Sequence, residues 1–131
     1  MRGGQLMKLQ TTLRAPHSLL LVVSTDKPEI PATIESNSIA VHTSTCVAIG
    51  TVAEDDDDVT VVLGDELVLD DQMSLIAEVV LDTNDGFIAV ETVLGDRLLN
   101  VPVASAQCGI RIRASNTHEP DRILIEVLDP R

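Results

Sequence analysis

The apolar residues of this chain come in short runs rich in Val, Ile and Leu, with Gly, Pro, Asn, Asp and Ser set between them along almost the whole length. Runs this short leave little room for an amphipathic helix, whereas β-branched side chains pack well on a pleated surface. Recurrence at this spacing is the mark of an all-β fold. Strands are expected at 6–13, 19–24, 38–43, 46–52, 59–63, 66–69, 87–94, 98–103, 109–114 and 123–128. Phe87 is the single aromatic residue, so aliphatic side chains must fill the interior. The expected fold is all-β: a two-sheet, mainly antiparallel β-sandwich. At 131 residues one domain is expected, over 6–131, with residues 1–5 as a disordered leader and Met7 as an alternative start.

Several segments locate turns. Lys27-Pro28-Glu29-Ile30-Pro31 must be a loop, because its two prolines remove ladder donors. Val62-Leu63-Gly64-Asp65 and Val93-Leu94-Gly95-Asp96 repeat one string, and Gly-Asp between apolar runs predicts a two-residue type II′ hairpin at each. Asn84-Asp85-Gly86 predicts a third tight turn. Residues 70–81, DDQMSLIAEVVL, are ambiguous. Leu75, Ile76, Val79 and Val80 share a helix face, yet the flanking segments are strands, which favours a strand here too. In 108–114, Cys108, Ile110, Ile112 and Ala114 fall on one face and Gly109, Arg111 and Arg113 on the other. Residues 123–128 are apolar on both faces apart from Glu126. That predicts a central or covered strand with Glu126 beside Arg111 or Arg113.

The two cysteines, Cys46 and Cys108, sit in apolar runs and read as buried reduced thiols, a disulfide between them depending on strand contacts that one sequence does not reveal. Leu19 to Val23 is far too short to span a membrane and lacks the flanks of a signal peptide, so a cytoplasmic location without membrane association is the expectation. His17, His42 and His118 are scattered, and no nucleophile, phosphate-loop or zinc motif occurs. Neither an enzyme nor a cofactor is expected.

Charge is the strongest pointer to function. The formal net charge is −12. Segments 1–53 and 97–131 each sum to +1, so the excess lies wholly in 54–96, which contains no Lys or Arg. A chain so charged repels a phosphate backbone, which argues against nucleic acid as a partner. A basic protein is the favoured counterpart, met by Glu54, Asp55, Asp56, Asp57, Asp58, Asp65, Glu66, Asp70 and Asp71. Against this stands a solvated loop that serves only solubility. The alternative counterpart is calcium, held by Asp55 to Asp58 together with Asp82, Asn84 or Asp85. Consecutive Asp residues in extended chain point to alternate sides, however, and Asp82-Thr83-Asn84-Asp85-Gly86 matches only the start of an EF-hand loop. Long β-branched edges leave a homodimer open.

The carboxyl-terminal region adds a resemblance. Gly-Ile-Arg-Ile-Arg at 109–113, a short polar loop with acids, Asp-Arg-Ile-Leu-Ile at 121–125 and a closing Asp129-Pro130 resemble the ending of the competence-type (ComJ-like) nuclease-inhibitor family of bacterial β-sandwich proteins. The resemblance reaches back through the hairpin at 87–100. Aromatic positions of that family are Ile110 and Leu128 here, and no inhibitory residue is carried over. The resemblance implies a non-enzymatic sandwich that binds another protein. A nuclease, with its basic substrate channel, would be a suitable partner for an acidic surface.

Overall fold

The computed structural model describes residues 8–31, 39–65 and 73–128. Their strands are β1 (Lys8–Leu13), β2 (Leu19–Val23), β3 (Ala40–His42), β4 (Cys46–Gly50), β5 (Val59–Gly64), β6 (Ser74–Asp82), β7 (Phe87–Thr92), β8 (Arg97–Pro102), β9 (Gln107–Ala114) and β10 (Arg122–Val127). They form two five-stranded sheets, ordered β1-β5-β10-β9-β6 and β3-β4-β2-β7-β8, with no α-helix among the described residues. All pairings are antiparallel except β5 with β10. The chain is a two-sheet β-sandwich, as its punctuated apolar runs predict. No helix among the described residues is long and apolar enough to cross a membrane.

The two runs that are apolar on both faces, LLLVV and the ILI of β10, take the middle place in their respective sheets. A central strand has neighbours on both edges and cover on both faces, so it has no side to give to water. Between the sheets lies an aliphatic core that includes Leu20, Val22, Ile49, Leu63, Ile88, Ile110, Ile112, Ile123 and Ile125, all at 0% exposure. The outer face of the second sheet is buried as well, around Leu21, Val23, Cys46, Ala48 and Ala89, with Phe87 packed against them. Phe87 also serves as a platform for a cation: the Arg97 guanidinium lies 4.7 Å from its ring centroid. Glu91 at 2.7 Å and Asp26 at 3.0 Å complete the charge balance of Arg97.

Residues 74–82 are extended, and a β-bulge between Leu75 and Ala77 explains their helix-like pattern. An inserted residue shifts the alternation by one, so the Leu75-Ile76 doublet belongs to an irregular strand and not to a helix face. Beyond it, Val79 and Leu81 turn to the core while Glu78 and Val80 face solvent. The expected strand at 66–69 lies outside the described residues.

The repeated Val-Leu-Gly-Asp string adopts two structures, and neither is the expected two-residue hairpin. Gly64 continues β5, held extended between Lys8 of β1 and Glu126 of β10. Gly95 does take positive φ, at 95°, but as the last residue of a three-residue loop: its N–H bonds the Thr92 carbonyl, and the Thr92 N–H bonds the Asp96 carbonyl. A ladder on both sides overrides the turn preference of the first glycine. The turn at Asn84-Asp85-Gly86 forms as expected, with Gly86 at φ 84° and its N–H on the Thr83 carbonyl.

Cys46 and Cys108 are both buried thiols not joined in a disulfide, and they belong to different sheets and different apolar clusters. Burial, with the negative charge of Glu91 adding, pushes the Cys46 thiol from 9.0 up to about 12. The folded chain therefore keeps a proton that the unfolded chain releases. Stability should be full below pH 9.0 and fall as pH rises toward 12, with a slope of at most about 1.4 kcal/mol per pH unit. Chemical denaturation across that range checks this, and Cys46→Ala should flatten the slope. In the middle of the core, Ile125→Ala should cost about 3 kcal/mol, measured in the same way.

Candidate functional site

Three connections meet at one end of the sandwich: β1 to β2, β4 to β5, and β9 to β10. The first begins at Arg14, after which Ala15 plugs the core end at 1% exposure. A single 3-10 turn, Pro16–Ser18, follows, with His17 and Ser18 both at left-handed φ, 58° and 59°. Such backbone is costly without glycine, and hydrogen bonds hold it on either side: Ser18 N–H to the Ala15 carbonyl and Thr51 N–H to the Ser18 carbonyl.

The acid run occupies the second connection. The N–H groups of Asp56 and Asp57 both reach the Ala53 carbonyl, curling Glu54 to Asp57 into a turn, and the Val52 N–H ties its base to the Pro120 carbonyl. Arg14 clamps this turn from below, with Nη1 donating to the Glu54 carbonyl at 2.9 Å and Nε 3.3 Å from Asp58 Oδ1. That clamp engages one carboxylate of the run. Glu54, Asp55, Asp56, Asp57 and Asp58 are all exposed.

The third connection adds acids that local sequence does not associate with the run. Asn116 Oδ1 accepts the N–H groups of His118 and Glu119, and Ser115 Oγ donates to Asp121 Oδ1 at 2.9 Å. The Thr60 N–H bonds the Asp121 carbonyl, so the parallel pairing of β5 with β10 sets Glu119 and Asp121 beside the acid turn. Glu54 to Asp58, Glu119 and Asp121 thus share one end of the molecule, with Arg14 and Arg122 as the nearby cations. Proximity of 58 to 121 depends on a long-range strand pairing, and no local signal announces it.

The other acids named from the sequence lie elsewhere. Asp65 follows β5 at its far end, about 20 Å along the strand from Asp58 at the usual rise per residue. Glu66, Asp70 and Asp71 lie outside the described residues. Asp82, Asn84 and Asp85 sit on the β6–β7 turn at the opposite end of the sandwich from Asp55 to Asp58, which corrects the expectation that they share a cation. Asp85 instead accepts a 2.6 Å hydrogen bond from Thr25 Oγ1, and Asp82 accepts from Gln107 Nε2. Among the described residues no three His, Cys, Asp or Glu side chains converge as a metal site. On the outer face of the first sheet, Arg111 bridges Glu78 at 2.9 Å and Glu126 at 3.4 Å, the cross-strand pairing expected for Glu126.

No family model matches this sequence, and no curated protein matches it in a sequence search. A search of solved structures does find a likeness: the crystal structure of ComJ from Bacillus subtilis, an inhibitor of the DNA-degrading activity of NucA. It matches with a TM-score of 0.70 over 96% of this chain and 99% of that one, at 9% sequence identity. At that identity the likeness is one of fold.

The geometry yields a direct expectation about cations. A ligand bound only by the folded state raises the melting midpoint. With the acids divided between two ends, the midpoint should be the same in millimolar calcium as in magnesium at equal ionic strength, read by far-UV circular dichroism.

Proposed function

We propose that this chain is a non-enzymatic protein-binding module of inhibitor or immunity type, whose acidic end meets a basic surface on a partner, the substrate channel of a nuclease. The observation that carries this reading is the gathering of Glu54 to Asp58 with Glu119 and Asp121 on one end, exposed and outnumbering the nearby Arg14 and Arg122. Like charges held together in this way cost free energy in the isolated protein, and a positive partner relieves that cost. The sandwich shared with ComJ supports the same reading, because that protein works by inhibiting a DNA-degrading nuclease. A channel built to hold a phosphate backbone already presents the Lys and Arg that a row of carboxylates can occupy. The same charge keeps DNA itself away from this chain.

The acid run acts mainly on encounter, so its removal should appear in association more than in dissociation. The variant Asp55→Asn/Asp56→Asn/Asp57→Asn keeps Asp58 for its pairing with Arg14. With wild type and variant as baits in a lysate of the source cell, a basic protein should be captured by the wild type, lost at high salt and lost with the variant. Added back in purified form, the wild-type chain should suppress that partner's DNA cleavage. For the isolated pair, the association rate constant should drop by about tenfold or more in the variant, and its salt dependence should flatten. Identical captures by both baits would remove the acid run from the function.

A further inference from the structure

Of the four sheet edges among the described residues, three are very short or begin or end in Lys, Arg or Pro. β3 is three residues long, β8 begins with Arg97 and ends with Pro102, and β1 begins with Lys8. β6 differs. It runs nine residues, SLIAEVVLD, with no Lys, Arg or Pro; a bulge between Leu75 and Ala77 interrupts its start and Arg111 pairs its one mid-strand charge, Glu78, while two large apolar side chains are exposed on it, Leu75 at 49% and Val80 at 59%.

The hydrogen-bond alternation of this strand is determined from both sides. The Asp82 N–H points away from β9, to the Ser44 carbonyl, and Gly109, opposite Val80, turns its carbonyl toward Leu128 on the side away from β6. In an antiparallel ladder bonded and non-bonded pairs alternate. Leu81, Val79 and Ala77 therefore bond β9, while Glu78 and Val80 direct both N–H and C=O out of the sheet. No backbone hydrogen bond among the described residues meets those groups. The free window is short, limited by the Ser44 contact at Asp82 and by the bulge between Leu75 and Ala77.

We propose that this edge joins two copies of the chain, β6 against β6, antiparallel about a two-fold axis through Val79. The register is self-complementary. Glu78 of each copy stands opposite Val80 of the other, and both are residues with free outward groups, so each facing pair exchanges two backbone hydrogen bonds. The exposed Val80 side chain then covers the methylene stem of the facing Glu78, whose carboxylate is already held by Arg111 at 2.9 Å. A register centred on Glu78 would set two carboxylates against each other, and the Val79 axis avoids that. Because the same edge is used up in both copies, the assembly closes at two chains.

Two hydrogen-bonded pairs about one axis make a weak contact, so a dissociation constant on the order of 0.1 mM is expected. Two chains of charge −12 repel one another, so added salt should strengthen the association. That sign is opposite to the one expected for a basic partner at the acidic end. Sedimentation equilibrium of the full chain across concentration, at low and high salt, should show a monomer–dimer equilibrium that tightens with salt. Val80→Pro removes only an outward N–H, and Val80→Lys places a charge on the edge; each should weaken the dimer by about tenfold or more with an unchanged circular dichroism spectrum. Should either variant unfold, amide exchange of the wild type decides: the Glu78 and Val80 amides should be fast in dilute solution and protected at high concentration. A wild type that stays monomeric to millimolar concentration in high salt, or a dimer whose Glu78 and Val80 amides stay unprotected, overturns the proposal. Protection of those amides only on addition of another protein would assign the edge to a different chain and overturn it equally.

Discussion

The pairing of β10 between β5 and β9 is the contact on which the first sheet depends. β10 is the middle strand, parallel to β5 and antiparallel to β9, and it joins the hairpin-like unit β9–β10 to the pair β1–β5. Its inward side chains, Ile123, Ile125 and Val127, reach into the core opposite the second sheet. The same contact has a consequence at the surface. Running parallel to β5, β10 begins where β5 begins, so the connections that lead into the two strands are neighbours. The acidic end exists because of that parallel pair.

An aliphatic interior imposes its own constraint. Without tryptophan or tyrosine, the core gains its dispersion and transfer energy from many small branched contacts and not from a few large ring contacts. Such cores need dense interdigitation, and a long series of Val and Ile residues is withdrawn completely from solvent to supply it. The single phenylalanine lies outside the core between the sheets, packed on the outer cluster of the second sheet beneath Arg97, where its face meets the guanidinium that pairs with Glu91 and Asp26.

Legibility in the sequence followed the range of the interactions concerned. The strand expected at 123–128 was visible because burial on both faces writes an apolar run broken only by Glu126, and the β9 face pattern was visible because the period of two is local. The turn at Gly86 was visible for the same reason. Gly64 was misread because its conformation is decided by Lys8 and Glu126, residues far away in the chain, and Leu75-Ile76 mimicked a helix because a bulge shifts the strand period by one. The acid run itself was plain, but its companions Glu119 and Asp121 were not, since the β5·β10 pairing and the Val52–Pro120 backbone bond, both distant in sequence, bring them near. The grouping of Asp55 to Asp58 with Asp82 to Asp85 failed for the converse reason: closeness in charge pattern says nothing about which end of a strand a loop occupies.

The central position of β10 also orders events in time. A ribosome delivers β5 long before β10, and until β10 arrives β5, paired with β1, and β9, paired with β6, each keep one bare edge on the side that β10 fills. Contacts of such sequence separation form slowly, and the half-made sheet offers aggregation a template. The acids grouped in the middle of the chain emerge during that interval. Like charges on neighbouring chains repel, so the acid-rich segment opposes close approach of unfinished chains during that interval.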